Sequence, residues 1–245
     1  MDERNAHAAV RLCDRISPNQ VREMFSLHAR YFENTRLEAF LADFEKKHWC
    51  ILITDRRDAI VGYSTIEVMP LTISARPVVI LFSGDTLVDT DFRGTNMLLP
   101  AFVQFTQFLA REYPAYRRYW LLITKGYRTY RLLPVHFKEF HPTFRRATPS
   151  DIKRILDAIC KEKFGNRYDP ATGIVRSRRE HDFLKAEHAA IPEGRDRNPD
   201  VRFFCEANPG YRDGDELACL TDIDAGNYIP ACYSRYMAHR IPIEE

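Results

Sequence analysis

Apolar and polar positions along the chain alternate with two periods, one helical and one extended. Leu37, Phe40, Leu41 and Phe44 recur at three- and four-residue spacing, which predicts a helix packed by one face. Ser17-Pro18-Asn19-Gln20 upstream offers an N-cap, a first-turn proline and a capping-box glutamine. Thr35-Arg36-Leu37-Glu38 repeats that logic, so two helices are expected to open the chain. Apolar runs at 49–54, 60–68 and 77–88 predict strands, and the short charged turn at 55–58 makes the first two an antiparallel hairpin. The third run, PVVILFSGDTLV, is apolar at its start, as suits a central strand covered on both faces.

Met97, Leu98, Ala101, Phe102, Phe105, Phe108 and Leu109 fall on one side of a further helix. With Asn96 as its N-cap, Pro100 lies in the first turn, where backbone N–H groups lack helical partners anyway. YWLLIT at 119–124 predicts another buried strand. Residues 125–200 read as an ordered, basic, mainly helical insertion, with one helix capped by Thr148-Pro149-Ser150-Asp151 and a second helical stretch near 180–190. NPDVRFFCEANPGY then predicts a short helix begun by Asn198-Pro199 and stopped at Pro209-Gly210, and DELACLTDI the last strand. The elements add up to an α/β fold in a single domain, 1–245, with the insertion at 125–200.

Composition narrows the class. A chain of 245 residues with 45% hydrophobic and 29% charged side chains can bury a sizeable core and has ordinary globular character. No apolar run approaches the ~18–20 residues that span a bilayer, and the acidic start MDERNAHAAVRL lacks an apolar signal core, so a cytoplasmic protein without a membrane partner is expected. Cys13, Cys50, Cys160, Cys205, Cys219 and Cys232 are irregularly spaced, with no zinc-type pattern, and read as reduced thiols. The net charge of +2 hides an asymmetry: residues 111–167 carry 14 Lys/Arg against 5 Asp/Glu. That stretch must face an anionic partner or an acidic part of the same chain.

The stretch FSGDTLVDTDFRGTNMLLPAF hands a strand through a glycine-bearing loop to a helix N-terminus, the physical recipe for holding a phosphate. Together with the order of elements, it resembles the GNAT superfamily of acyltransferases, over about residues 9–124 and again at 201–223. The resemblance implies a mixed, mostly antiparallel central sheet flanked by helices. It also implies acetyl-CoA or another acyl-CoA as co-substrate, with no metal. In VDTDFRGTNML it places Arg93 at the family's Arg/Gln position, followed by Gly94, and assigns the donor's pyrophosphate to Val88, Arg93, Gly94, Thr95, Asn96 and Met97. The two defining glycine positions are filled by Asn96 and Leu98. Asparagine tolerates the left-handed conformation, whereas Leu98 must turn into the core or occupy the phosphate's space.

The family's acidic tyrosine position falls on Phe204, which has no proton to give, leaving Tyr211 or Cys205 as nearby donors. Glu67 and Asp85 are the candidate general bases. A carboxylate inside an apolar strand would carry a raised pKa, suited to taking a proton from an ammonium. Alternatively, Asp85 closes a bulge around Gly84 or pairs with an arginine.

The expected activity is transfer of an acyl group, in the first place acetyl, from a CoA thioester to an amine of a small metabolite. Two alternatives stay open: an enzyme of this fold that uses an acyl carrier protein, and an inactive module that binds a ligand or protein. KGYRTYRLLPVHFKEFHPTFRR mixes cations with aromatics, so Lys125, Arg128 and Arg131 could meet CoA phosphates, a carrier protein or nucleic acid, the last being disfavoured. His136 and His141 lie between Pro134 and Pro142, outside the i,i+4 helical spacing of a metal pair. Exposed edge strands would allow a homodimer.

Overall fold

The computed structural model describes residues 6–95, 97–178 and 181–244, and only the backbone at 93–95. Strand β1 (Ala6–Leu12) precedes α1 (Pro18–Tyr31), β2 (Phe32–Glu33) and α2 (Leu37–Phe44). Then come β3 (Trp49–Asp55), β4 (Ile60–Ile73), β5 (Arg76–Val88), a 3-10 turn (Thr90–Thr95), α3 (Leu98–Glu112) and β6 (Arg117–Thr124). The 125–200 region supplies α4 (Tyr127–Tyr130), α5 (Leu132–His136), α6 (Ser150–Phe164), β7 (Tyr168–Asp169), β8 (Ile174–Val175), β9 (Phe183–Leu184) and α7 (Ala186–Ala189). The chain continues through α8 (Pro199–Ala207), β10 (Glu216–Asp222), α9 (Pro230–Met237) and β11 (Ile243–Glu244).

The main sheet runs β11-β1-β3-β4-β5-β6-β10-β8-β7. Its only parallel junctions among the described residues are β1/β11 and β5/β6. The expected mixed, mostly antiparallel sheet flanked by helices is what is found. One face packs against α3, α8 and α9 through Phe102, Phe105, Leu109, Val201, Phe204 and Tyr236. The other is covered by α1 and α2 through Met24, Leu27 and Phe40, and by α6 through Leu156 and Ile159. Side chains of this size contribute about 2 kcal/mol each when fully buried, so both faces of β3–β6 are anchored.

Several local expectations are corrected. A strand, not a helix, comes first among the described residues: β1 buries Ala8 and Val10 on one face and pairs with β3 along its whole length. The Ser17–Gln20 capping box forms as expected, but α2 starts from Arg36 and α3 from Met97, neither with a side-chain cap. Pro100 therefore occupies the third position of α3. Helix α6 starts from Pro149, also without a side-chain cap. The 125–200 region is less helical than its composition suggests: β8 extends the main sheet against β10, β9 pairs with β2, and α7 is four residues long. Strand β10 is not the last, because α9 packs on α3 and β11 returns to the opposite edge of the sheet.

Candidate active site

Strands β5 and β6 pair in parallel from Val78/Arg117 to Ser83/Leu122 and then separate. Beyond that point β5 stays paired with β4 as far as Gly62/Val88, and β6 stays paired with β10 as far as Leu217/Thr124. The sheet thus opens into a cleft between its two central strands. At the opening the β4/β5 register slips: Ile66 faces Ser83 and Ser64 faces Thr86, so Gly84 and Asp85 share a single opposite position, Thr65. This two-for-one bulge reverses the facing of every later side chain in β5. Gly84 fits because a Cβ there would meet Thr65 Oγ1 at 2.6 Å and Lys47 Cε at 2.8 Å.

The bulge directs Asp85 toward α1. One donor atom each from His28, Asp85 and Asp182 lie within 4.8 Å of one another. His28 is buried on the inner stripe of α1 and stacks on Phe32 at 4.2 Å. Its Nδ1 is 2.8 Å from the Tyr63 hydroxyl, and its Nε2 is 2.5 Å from Asp182 Oδ2. Lys125, just past the end of β6, donates from Nζ to Asp182 Oδ1 and to the Asp182 carbonyl, each at 3.1 Å.

The charges sort themselves by partner. Burial pushes the Asp182 carboxyl up, but the His28 hydrogen bond and the Lys125 ammonium outweigh it and hold Asp182 below the carboxylate range. Burial also works against the Lys125 charge, yet Glu216, Asp182 and Asp85 together hold that lysine above its ordinary value. Asp85 has no hydrogen-bonded partner among the described residues. Burial therefore dominates and raises its pKa, with the Asp182 and Asp43 charges adding to the rise and His28 and Lys125 opposing it. Glu216, at the start of β10, is raised by burial against the pull of Lys125 and Arg167. The result is one carboxylate fixed in its charged form beside two that hold protons more tightly. Among the described residues, His28, Asp85 and Asp182 are also the one group spaced to hold a metal ion, although the Lys125 ammonium already supplies a positive charge there.

The other expected site residues are distributed around this cluster. Glu67 receives a 2.5 Å bond from Lys163 of α6. Tyr211 is buried near Phe204, ring centroids 5.6 Å apart, and its hydroxyl accepts from Arg212 Nε at 3.1 Å. Val88 closes the β4/β5 ladder against Gly62. After it, Asp89 pins the turn: its carboxylate pairs with Arg30 at 2.7 Å and accepts from the Asp91 N–H, while its carbonyl accepts from Phe92. Tyr31 adds a bond from the Thr90 N–H at 2.8 Å. Arg93, Gly94 and Thr95 complete the 3-10 turn; their side chains, and Asn96 altogether, lie outside the described residues. Met97 stands at the N-cap of α3, and Leu98 packs against the core rather than projecting into the turn.

Sequence reasoning missed His28, Lys125 as a cleft residue, Asp182 and Glu216. His28 alone left a signal, as a polar residue on the stripe of Val21, Met24, Leu27 and Tyr31. The others are brought in from up to 154 residues away, which no local pattern encodes.

No protein-family model and no curated protein matches the chain. Among solved structures, an Escherichia coli GNAT family N-acetyltransferase, YhbS, in complex with CoA aligns at 17% identity and a TM-score of 0.36, over 48% of this chain and 62% of that one. Arabidopsis thaliana NAA60 in complex with a bisubstrate analogue aligns at 14% identity and 0.39, over 54% and 86%. A conserved Enterococcus faecalis V583 protein described as a probable N-acyltransferase aligns at 10% identity and 0.42, over 87% and 64%. The chain is similar in fold to these proteins. It spans less than two thirds of the first of them.

Proposed function

We propose that the protein is a GNAT-type acyltransferase that moves an acyl group, in the simplest case acetyl, from a CoA thioester to an amine of a small metabolite. The observation that carries this reading is the opening between β5 and β6, with a carboxylate of raised pKa at the bulge on its edge. Strand edges that have lost their ladder partner present backbone N–H groups, and an N–H aimed at a thioester oxygen stabilises the charge that develops there. The donor's pyrophosphate is assigned to the backbone around Val88, Arg93, Gly94, Thr95, Asn96 and Met97, at the N-terminus of α3.

Asp85 takes a proton from the acceptor ammonium, the freed amine forms a C–N bond to the thioester carbon, and the C–S bond breaks. The CoA thiolate then takes a proton, for which Tyr211 is the proposed donor, while the new amide nitrogen sheds its second proton to solvent and Tyr211 regains one from it. Glu67 remains the second candidate base, tied to Lys163. His28, Asp182 and Lys125 hold the electrostatic setting of Asp85 and are positioning residues.

Thiol release from acetyl-CoA, measured with a panel of small amines, tests the reading. Asp85→Asn is expected to lower kcat by about 100-fold, the usual size of a lost general base, with the KM for acetyl-CoA little changed. Full turnover in both Asp85→Asn and Glu67→Gln would remove the base assignment. Absence of thiol release with every amine would favour the inactive binding module.

A further inference from the structure

On the face of the sheet covered by α1, α2 and α6, the apolar cores under α2 and under α6 are separate clusters. A polar seam lies between them, from Asp85 at the bulge to Glu67 on β4. Lys47 crosses it with a side chain only 1% exposed: Nζ pairs with Asp43 at 3.0 Å and sits 5.0 Å from the Phe82 ring centroid, and the stem passes the Gly84 bulge. Lys163, in the last turn of α6, reaches the same ring, with Nζ 4.2 Å from its centroid and 2.5 Å from Glu67 Oε2. Glu67 faces Phe82 across the ladder, and the next residue of β5, Ser83, makes the last pair with β6 before the cleft opens. Phe82 to Gly84 is about 7 Å along an extended strand, a distance that the flexible four-carbon stem of a lysine covers by changing rotamer.

Acylation of an amine needs an amine that gives up its charge, a base for the proton and a thioester beside it. Burial pushes the Lys163 pKa down, the Glu67 carboxylate restores only part of the loss, and the Lys47 ammonium adds to the fall. Glu67 is within hydrogen-bond reach of the proton to be taken. Asp43 acts on both Lys163 and Asp85, so the pair belongs to the same electrostatic setting as the cleft. Lys161, two residues earlier on α6, is exposed and offers an internal comparison.

We propose that Lys163 is an internal acceptor: the protein acylates its own Lys163 side chain from the bound thioester, with Glu67 as the base. The inference rests on the acyl-transfer reading above. Glu67 takes a proton from the Lys163 ammonium, the freed amine forms a C–N bond to the thioester carbon, and the C–S bond breaks. The new amide nitrogen sheds its second proton to solvent, the CoA thiolate takes one from solvent, and Glu67 returns its own. The product is a neutral acyl-lysine, so the seam loses one cation and Glu67 is released from its ion pair.

Incubation of the full chain with acetyl-CoA and no added amine, followed by proteolysis and tandem mass spectrometry, tests the site. An acetyl group is expected on Lys163, forming at least about tenfold faster than on Lys161, because the bound donor is held beside the first and not the second. Glu67→Gln should slow it by about 100-fold, the usual size of a lost general base. Gly94→Pro, which loses the donor, should abolish it. Lys163→Arg keeps a cation beside Glu67 and should lose the fast phase of mass gain of the intact chain. The proposal is overturned if acetyl-CoA binds by isothermal titration and Lys163 stays unmodified, if Lys163 and Lys161 react at the same rate, or if any of the three variants reacts as the parent does. Failure of acetyl-CoA to bind at all would remove the acyl-transfer reading, and this inference with it.

Discussion

At the scale of single residues, Asp85 and Asp182 respond to pH with opposite signs. Folding raises the Asp85 pKa above its value of 3.8, so the folded state holds that proton more tightly than the unfolded one. The stability this contributes is full below 3.8 and is lost as pH rises through the folded value. Asp85→Asn should therefore melt higher than the parent at pH 7, with the difference vanishing near pH 3, while activity is lost. A parent that melts higher at pH 7 would show Asp85 to be paired in solution. Turnover of the parent should fall toward acid as Asp85 gains its proton, with a midpoint above the ordinary carboxylate range.

For Asp182 the folded pKa is depressed, so its contribution is present above 3.8 and is lost as pH falls. Removing its charge leaves Lys125 buried without its closest carboxylate. Asp182→Asn should accordingly cost about 3 kcal/mol by urea unfolding at pH 7. Gly84→Ala should cost about 1–2 kcal/mol, because the added methyl meets Thr65 and Lys47 inside the bulge. A neutral result there would mean that the bulge relaxes freely.

At the scale of elements, the capping box of α1 offers a control. Ser17 accepts from the Gln20 N–H while the Gln20 side chain accepts from the Ser17 N–H, so Ser17→Ala should lower stability by about 1 kcal/mol and leave KM unchanged. Elements of this kind were legible in the chain: the α1 cap written in Ser17–Gln20, the β3–β4 hairpin with its charged turn, and the apolar runs of β5 and β6, whereas the caps expected for α2, α3 and α6 did not form. Strand β1 escaped notice because AHAAVRL, with Ala8, Ala9 and Val10 in a row, has no clear apolar/polar alternation, and its extended form becomes decisive only once β3 lies beside it. The closing α9 and β11 escaped because their stability comes from α3 and β1, not from local propensity. Asp85 could be singled out as a carboxylate in an apolar strand. Its setting could not, since His28, Lys125 and Asp182 meet it only through the fold.

At the scale of the whole molecule, the charge asymmetry resolves largely inside the chain. Arg117, Arg118, Lys125, Arg145 and Lys163 of the basic stretch pair with Asp222, Asp224, Asp182, Asp200 and Glu67, all outside it. Cations engaged in this way release few counterions on meeting a polyanion. The protein should therefore elute from heparin at or below physiological salt, and strong retention above it would favour an anionic macromolecular partner.

No described helix is long and apolar enough to cross a membrane. The same pairing folds the 125–200 region onto the sheet, with β8 and the edge strand β7 extending it beyond β10 and Asp182 bonded to both His28 and Lys125 at the cleft. The central claim is that this cleft holds a CoA thioester, and isothermal titration with acetyl-CoA, with CoA as the control, addresses it most directly. Micromolar binding that is lost in Gly94→Pro is the predicted result. No binding of acetyl-CoA or CoA, at protein concentrations where micromolar affinity would register, would contradict it.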